Sequence, residues 1–160
     1  MRDKKKETHE ESFGYDTFLS PFTWRYGSGE MRVIFSELAR RGSWRSIWLE
    51  LARAESAFGL VSEQELEGIG SKATAEHVDI NRAHELERKI RHDLMAELRT
   101  FAEQAKQGGG KLHLGATSMD IEDNSDALLF RKALELTLTR LVNCLEATKE
   151  NVIKYKGTVC

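Results

Sequence analysis

Apolar positions recur every three to four residues along most of this chain, strict alternation is scarce, and the period predicts helices nearly end to end. The stretch SPFTWRYGSGEM, from Ser20, reads as an extended lead-in in which Ser28 caps a helix starting near Gly29, with Glu30 in its first turn. Met31, Ile34, Phe35 and Leu38 follow at helical spacing. RRGS at 40–43 interrupts the period and makes Ser43 a candidate new cap. Behind it Trp44, Ile47, Trp48, Leu51 and Phe58 form one apolar stripe, closed by Gly59 in the helix-ending position.

Ser62 and Glu65 have the spacing of a capping box, so EQELEGI is predicted as a short helix ending near Gly68 to Gly70. Asp79 is placed to cap the long segment that follows. Leu86, Ile90, Leu94, Leu98, Phe101 and Ala105 share its apolar face, and Asp93, in its middle, is a candidate cap for a second helix. Periodicity is equally compatible with a kink there and with a continuous helix. After the glycines at 108–110, residues 119–155 read as one helix, on the order of 50 Å long at about 1.5 Å per residue. Leu134, Leu138, Leu141, Leu145 and Val152 form one seam along it, widened by Leu129, Ala133 and Leu136. So broad an apolar surface needs partners on more than one side, which points to a bundle completed by further sequence or by other subunits.

Composition narrows the picture. The chain has 160 residues, enough for a domain with a real core, and a single proline, Pro21. Lysine and arginine number 24 against 26 aspartates and glutamates, a net charge of −2 that supplies no basic field for nucleic acid or an anionic membrane. Two cysteines make neither a disulfide framework nor a metal site; Cys144 is expected as a small buried apolar residue and Cys160 as a terminal thiol. There is no apolar run of about 18 residues and no signal-like apolar stretch after the first methionine, so a soluble, cytoplasmic setting is expected. Residues 1–19, charged and without a periodic face, are expected as a flexible tail.

Three short stretches carry candidate chemistry. In LHLGATSMD, Thr117 or Ser118 caps the long helix while Asp120, Glu122 and Asp123 complement its dipole; the alternative is that Thr117, Ser118 and the free amides hold a ligand carboxylate or phosphate. The acidic first turn favours capping, and His113 alone reads as a loop histidine. Arg91, His92 and Asp93 set a cation, an imidazole and a carboxylate side by side, yet adjacent positions on an intact helix point about 100° apart, so only a helix break aims all three at one ligand. Arg25 and Tyr26 precede a helix start, where an arginine meets a phosphate readily. Trp44 and Trp48 read as core.

Taken together and in this order, the stretches SPFTWRYGSGEM, IFSE, WRSIWLELARAESAFGL, KIRHDLMAEL and HLGATSMDIEDNSDALLFRKAL resemble the adenylosuccinate lyase family, within the fumarase/aspartase superfamily, over about residues 20–160. The Arg-Tyr lead-in and the Arg-His-Asp block are similar to the purine-pathway member, in its animal-like branch, rather than to argininosuccinate lyase or aspartase. The resemblance implies an all-α protein: an amino-terminal helical domain over 20–111 and, over 112–160, the start of a central helical bundle. It implies a homotetramer with active sites shared between subunits, a purine nucleotide substrate, and no cofactor or metal. The implied reaction is β-elimination of fumarate from adenylosuccinate, giving AMP, and from the succinylated aminoimidazole carboxamide ribotide.

Residue by residue, the resemblance implies that Thr117 and Ser118 hold the succinyl part. It implies that Arg25 and Tyr26 hold the phosphate, that Arg91, His92 and Asp93 line the nucleotide site, and that His113 binds substrate. The family's Thr-His pair with the general acid, and its catalytic serine, have no match within these 160 residues. The chain is therefore expected to be an amino-terminal fragment that binds without cleaving, with no catalytic residue of its own. The rival from another class is a helical interaction module that binds no nucleotide.

Overall fold

A computed structural model describes residues 14–159, and among them every regular element is helical. The helices are α1 (Thr23–Tyr26), α2 (Gly29–Ile34), α3 (Glu37–Ser56), α4 (Glu63–Gly70), α5 (Ile80–Ile90), α6 (Asp93–Ala105) and α7 (Ser118–Tyr155), with 3-10 turns at Ala75–His77 and Lys106–Lys111. The all-α expectation holds. Its local signals hold where a side chain satisfies an orphan amide: Ser28 Oγ accepts from the Met31 amide at 3.3 Å, and Asp79 Oδ1 from the Arg82 amide at 2.9 Å. Ser62 and Glu65 form the reciprocal box, and Gly59 (φ +74°) turns the chain beyond α3.

Several local expectations give way to tertiary packing. The lead-in, expected to be extended, forms a helical turn, α1, over Thr23–Tyr26. The 31–38 periodicity is split after Ile34, because Ser36 caps α3 by accepting from the Ala39 amide, and Phe35 turns to meet the edge of Phe130 on α7 at 5.9 Å. Ser43 is no cap. α3 runs straight through Gly42, whose missing side chain lets Ala75 approach; a Cβ there would sit 3.1 Å from the Ala75 Cβ. Phe58 lies past the end of α3 and is 83% exposed, outside the stripe expected of it. The first thirteen residues of the expected tail lie outside the described residues, while 14–19 are tied down: the Leu38 amide donates to the Tyr15 carbonyl, and the Phe18 amide to that of Arg32.

α3 is the central element, packed against α4 and α7. Trp44, Trp48, Val61, Ile69, Leu94, Phe101 and Ile121 form the core around it. α5 and α6 pack on one another, and the glycine-rich turn lies over α4 and α6. α7 behaves as two helices in one. Ile121, Ser125, Leu129 and Ala133, four residues apart, are buried against the domain. Beyond them Leu134, Leu138, Leu141, Leu145 and Val152 stand in solvent, as the seam expected to need other partners. Cys144 sits on this free stretch and is exposed, contrary to the buried position expected of it.

Candidate functional site

The 79–106 segment breaks between α5 and α6. Arg91 takes the left-handed conformation (φ +53°) while its amide still donates to the Glu87 carbonyl at 2.7 Å, and His92 is extended. The cap of α6 is His92, whose Nδ1 accepts from the Met95 amide at 3.4 Å; Asp93, the candidate cap if the segment breaks, is the first helical residue. The break frees three neighbouring side chains from the 100° spacing of a helix. Arg91 and His92 are exposed and Asp93 is half-buried.

This junction faces the start of α7. Arg40 Nη2 lies 3.9 Å from Asp93 Oδ2 and stacks over the Trp44 ring at 4.7 Å. Burial, together with the Asp93 carboxylate, pushes the Glu122 carboxyl above its ordinary value, while Arg40 and His92 pull the other way. Glu122 is one helical turn beyond Ser118, on the same face of α7. Arg91, His92 and Asp93 therefore share a neighbourhood with the first turns of α7.

The loop into α7 is pinned at both ends. Leu112 is buried, His113 and Gly115 both take positive φ (+64° and +62°), and the Asp120 carboxylate accepts from the Thr117 amide at 2.8 Å. That bond makes Thr117 the cap residue of α7. Thr117 is exposed and Ser118 half-buried. His113 Nδ1 accepts from the Trp48 indole N–H at 3.0 Å, with the two rings edge-on. Burial holds the His113 imidazole below its ordinary pKa, against the opposing charge of Asp120.

Arg25 and Tyr26 stand apart. Both are exposed on α1, Tyr26 at 79%, and among the described residues no hydrogen bond or ion pair joins them to the other candidates. Two of the three stretches thus come together through this chain's own fold, and the third does not.

A cluster that sequence reasoning passed over adjoins Asp93. A cleft of about 350 Å³ is lined by Arg40, Arg41, Trp44, His84 and Glu87, with Asp93 at its edge. Beneath it Arg41 bonds Glu37 at 2.8 Å and Glu97 at 3.2 Å, and His84 Nε2 contacts Glu37 at 2.7 Å. The signal was present: Glu97 falls between Leu94 and Phe101 on the buried face of α6, and Arg41 and Arg45 share the face of α3 that carries Trp44 and Trp48. A charge on an apolar face calls for a partner. Among the described residues no cluster of three potential metal ligands occurs, and no helix is long and apolar enough to cross a membrane.

No family model matches the chain. Curated relatives do. It is 35% identical over 144 residues to the adenylosuccinate lyase of Saccharomyces cerevisiae and 36% identical over 146 residues to that of Schizosaccharomyces pombe, in each case over 89% of this chain and 30% of the relative. The adenylosuccinate lyase of Pyrococcus horikoshii is 36% identical over 142 residues, covering 89% of this chain and 32% of the relative. Over this stretch the chain is similar to adenylosuccinate lyases. Its fold agrees: the fumarate lyase from Mesorhizobium sp. BNC1 superposes with a TM-score of 0.63 at 26% identity, over 69% of this chain and 26% of that one. The chain spans about 30% of the length of the yeast relatives. In this chain, similar to adenylosuccinate lyases, the helix break at Arg91 and the pinned loop before α7 are the two devices that orient the candidate residues.

Proposed function

We propose that the chain supplies a substrate-holding part of an adenylosuccinate lyase, which eliminates fumarate from adenylosuccinate to leave AMP and from the succinylated aminoimidazole carboxamide ribotide. The observation that carries this reading is the meeting of the Arg91–Asp93 break with the first turns of α7, in a chain whose relatives bear that name.

The chemistry explains the residue types. Removing a proton beside a carboxylate builds a doubly charged aci-carboxylate, which fixed donors must meet, and the departing purine nitrogen must receive a proton. In this reading Thr117, Ser118 and His113 donate to the succinyl carboxylates. Asp120 already holds the Thr117 amide, and the Thr117 and Ser118 hydroxyls are the donors this reading uses. Arg91, His92 and Asp93 line the nucleotide site, and Arg25 and Tyr26 take the phosphate. We place neither the general acid nor the base on these residues. The reading divides the chain into a helical domain over 20–111, preceded by a charged tail, and the first bundle helix from 112. It makes the protein a cytoplasmic homotetramer with shared active sites, supported by the uncovered seam of α7 and by the exposure of Arg25 and Tyr26, which no bond joins to the other candidates among the described residues.

Fumarate release from adenylosuccinate and calorimetric titration with AMP test the proposal. The 160-residue chain is expected to release no fumarate, and robust turnover would overturn the placement of acid and base elsewhere. A complete tetrameric form should bind AMP saturably; its failure to do so would favour an interaction module.

A further inference from the structure

The contact between Trp48 and His113 has chemical content beyond packing. An indole nitrogen can only donate, so the 3.0 Å bond requires Nδ1 of His113 to carry the lone pair, and the neutral ring must hold its proton on Nε2. Both partners are immobilised. Trp48 is fully buried within the twenty-residue α3, its ring tilted against Phe101 at a centroid distance of 6.2 Å. His113 is held at positive φ between the buried Leu112 and Gly115, a backbone state that a non-glycine residue keeps only where its surroundings impose it. Among the described residues Nε2 has no hydrogen-bond partner, and it is not among the buried unsatisfied atoms.

We infer that Trp48 is a positioning residue: it locks His113 as the Nε2–H tautomer and leaves that one hydrogen free for a ligand oxygen beside Thr117 and Ser118. Protonating Nδ1 would set two donors against each other, so His113 acts as a neutral donor and not as a proton shuttle. The inference rests on the reading of His113 as ligand-holding, and it makes Trp48, which touches no substrate, a determinant of binding.

Nitrogen-15 NMR of the histidine rings in the intact chain tests the lock without any mutation. At neutral pH, His113 should show a bare Nδ1, a protonated Nε2 and a scalar coupling across the bond to Trp48 Nε1. An Nδ1–H tautomer, or fast averaging between the two, would overturn the inference. In the complete enzyme, Trp48→Phe should let the two tautomers mix and weaken binding of fumarate, the product that carries both succinyl carboxylates, about tenfold, with His113→Ala losing as much and the double variant no more. Unchanged tautomer and affinity in a folded Trp48→Phe would sink it. A locked tautomer in a protein that binds no purine nucleotide would leave Trp48's role standing and overturn only the reading of the site.

Discussion

Arg45 and Glu97 meet at 2.6 Å with both side chains sealed from solvent. The guanidinium also donates to the Lys72 and His77 carbonyls and to Gln104 Oε1, and lies 4.8 Å over the Phe101 ring. Glu97 faces two arginines at once, since Arg41 reaches its other oxygen. Removing the carboxylate strands the Arg45 cation in the interior, while Arg41 keeps Glu37. Glu97→Ala should destabilise the fold by about 3–5 kcal/mol in urea unfolding, whereas replacing Arg45 and Glu97 together with apolar residues of similar volume should cost far less. Equal losses from both variants would show that the pair is not what holds α3 to α6.

The three glycines at 108–110 are not equivalent. A Cβ on Gly108 would lie 2.7 Å from Ile69 Cγ1 and closer still to the Glu65 carbonyl oxygen, while one on Gly110 would meet nothing within 4 Å. Gly108→Ala should therefore destabilise by about 2 kcal/mol and Gly110→Ala should be neutral or slightly stabilising in thermal melts.

Arg91 holds a left-handed conformation that favours glycine. Arg91→Gly should raise stability by about 1 kcal/mol while weakening AMP binding in the complete enzyme. A loss of both would mean the side chain supports the fold instead of a ligand.

The free stretch of α7 should drive self-association. Leu138 and Leu145, 62% and 60% exposed, lie along one seam. Leu138→Glu combined with Leu145→Glu should shift sedimentation toward monomer with helicity retained. A monodisperse wild-type monomer at tens of micromolar would contradict the seam's role.

Burial holds the His113 pKa below its ordinary 6.5. The folded state thus prefers the neutral ring, so the contribution is full above 6.5 and is lost as pH falls through the lower folded value. His113→Asn should flatten the stability profile in that window, as read from urea midpoints at successive pH values.

Much of this protein was legible in the chain because the signals are local. The period of the apolar residues, the Ser28, Ser62 and Asp79 caps and the turn at Gly59 each depend on groups a few residues apart. Motif order along the chain carried the family resemblance in the same way. The candidate site was legible as a set of residue types and not as an arrangement. His113 looked like an ordinary loop histidine because its partner, Trp48, is 65 positions away.

By itself, then, the sequence determined an all-α chain, the ends of most helices, the long α7 with its unsatisfied apolar seam, and the residues worth following. Only the tertiary structure decided that Gly42 lies inside a helix, because Ala75 packs where a side chain would be. It decided that the chain breaks at Arg91, with His92 as the cap, and that Phe58 and Cys144 are exposed. It also decided that three charged residues, Arg41, Arg45 and Glu97, belong in the core, and which nitrogen of His113 accepts a hydrogen bond. These outcomes depend on groups far apart in sequence, whose desolvation and packing energies outweigh local propensity once the helices meet.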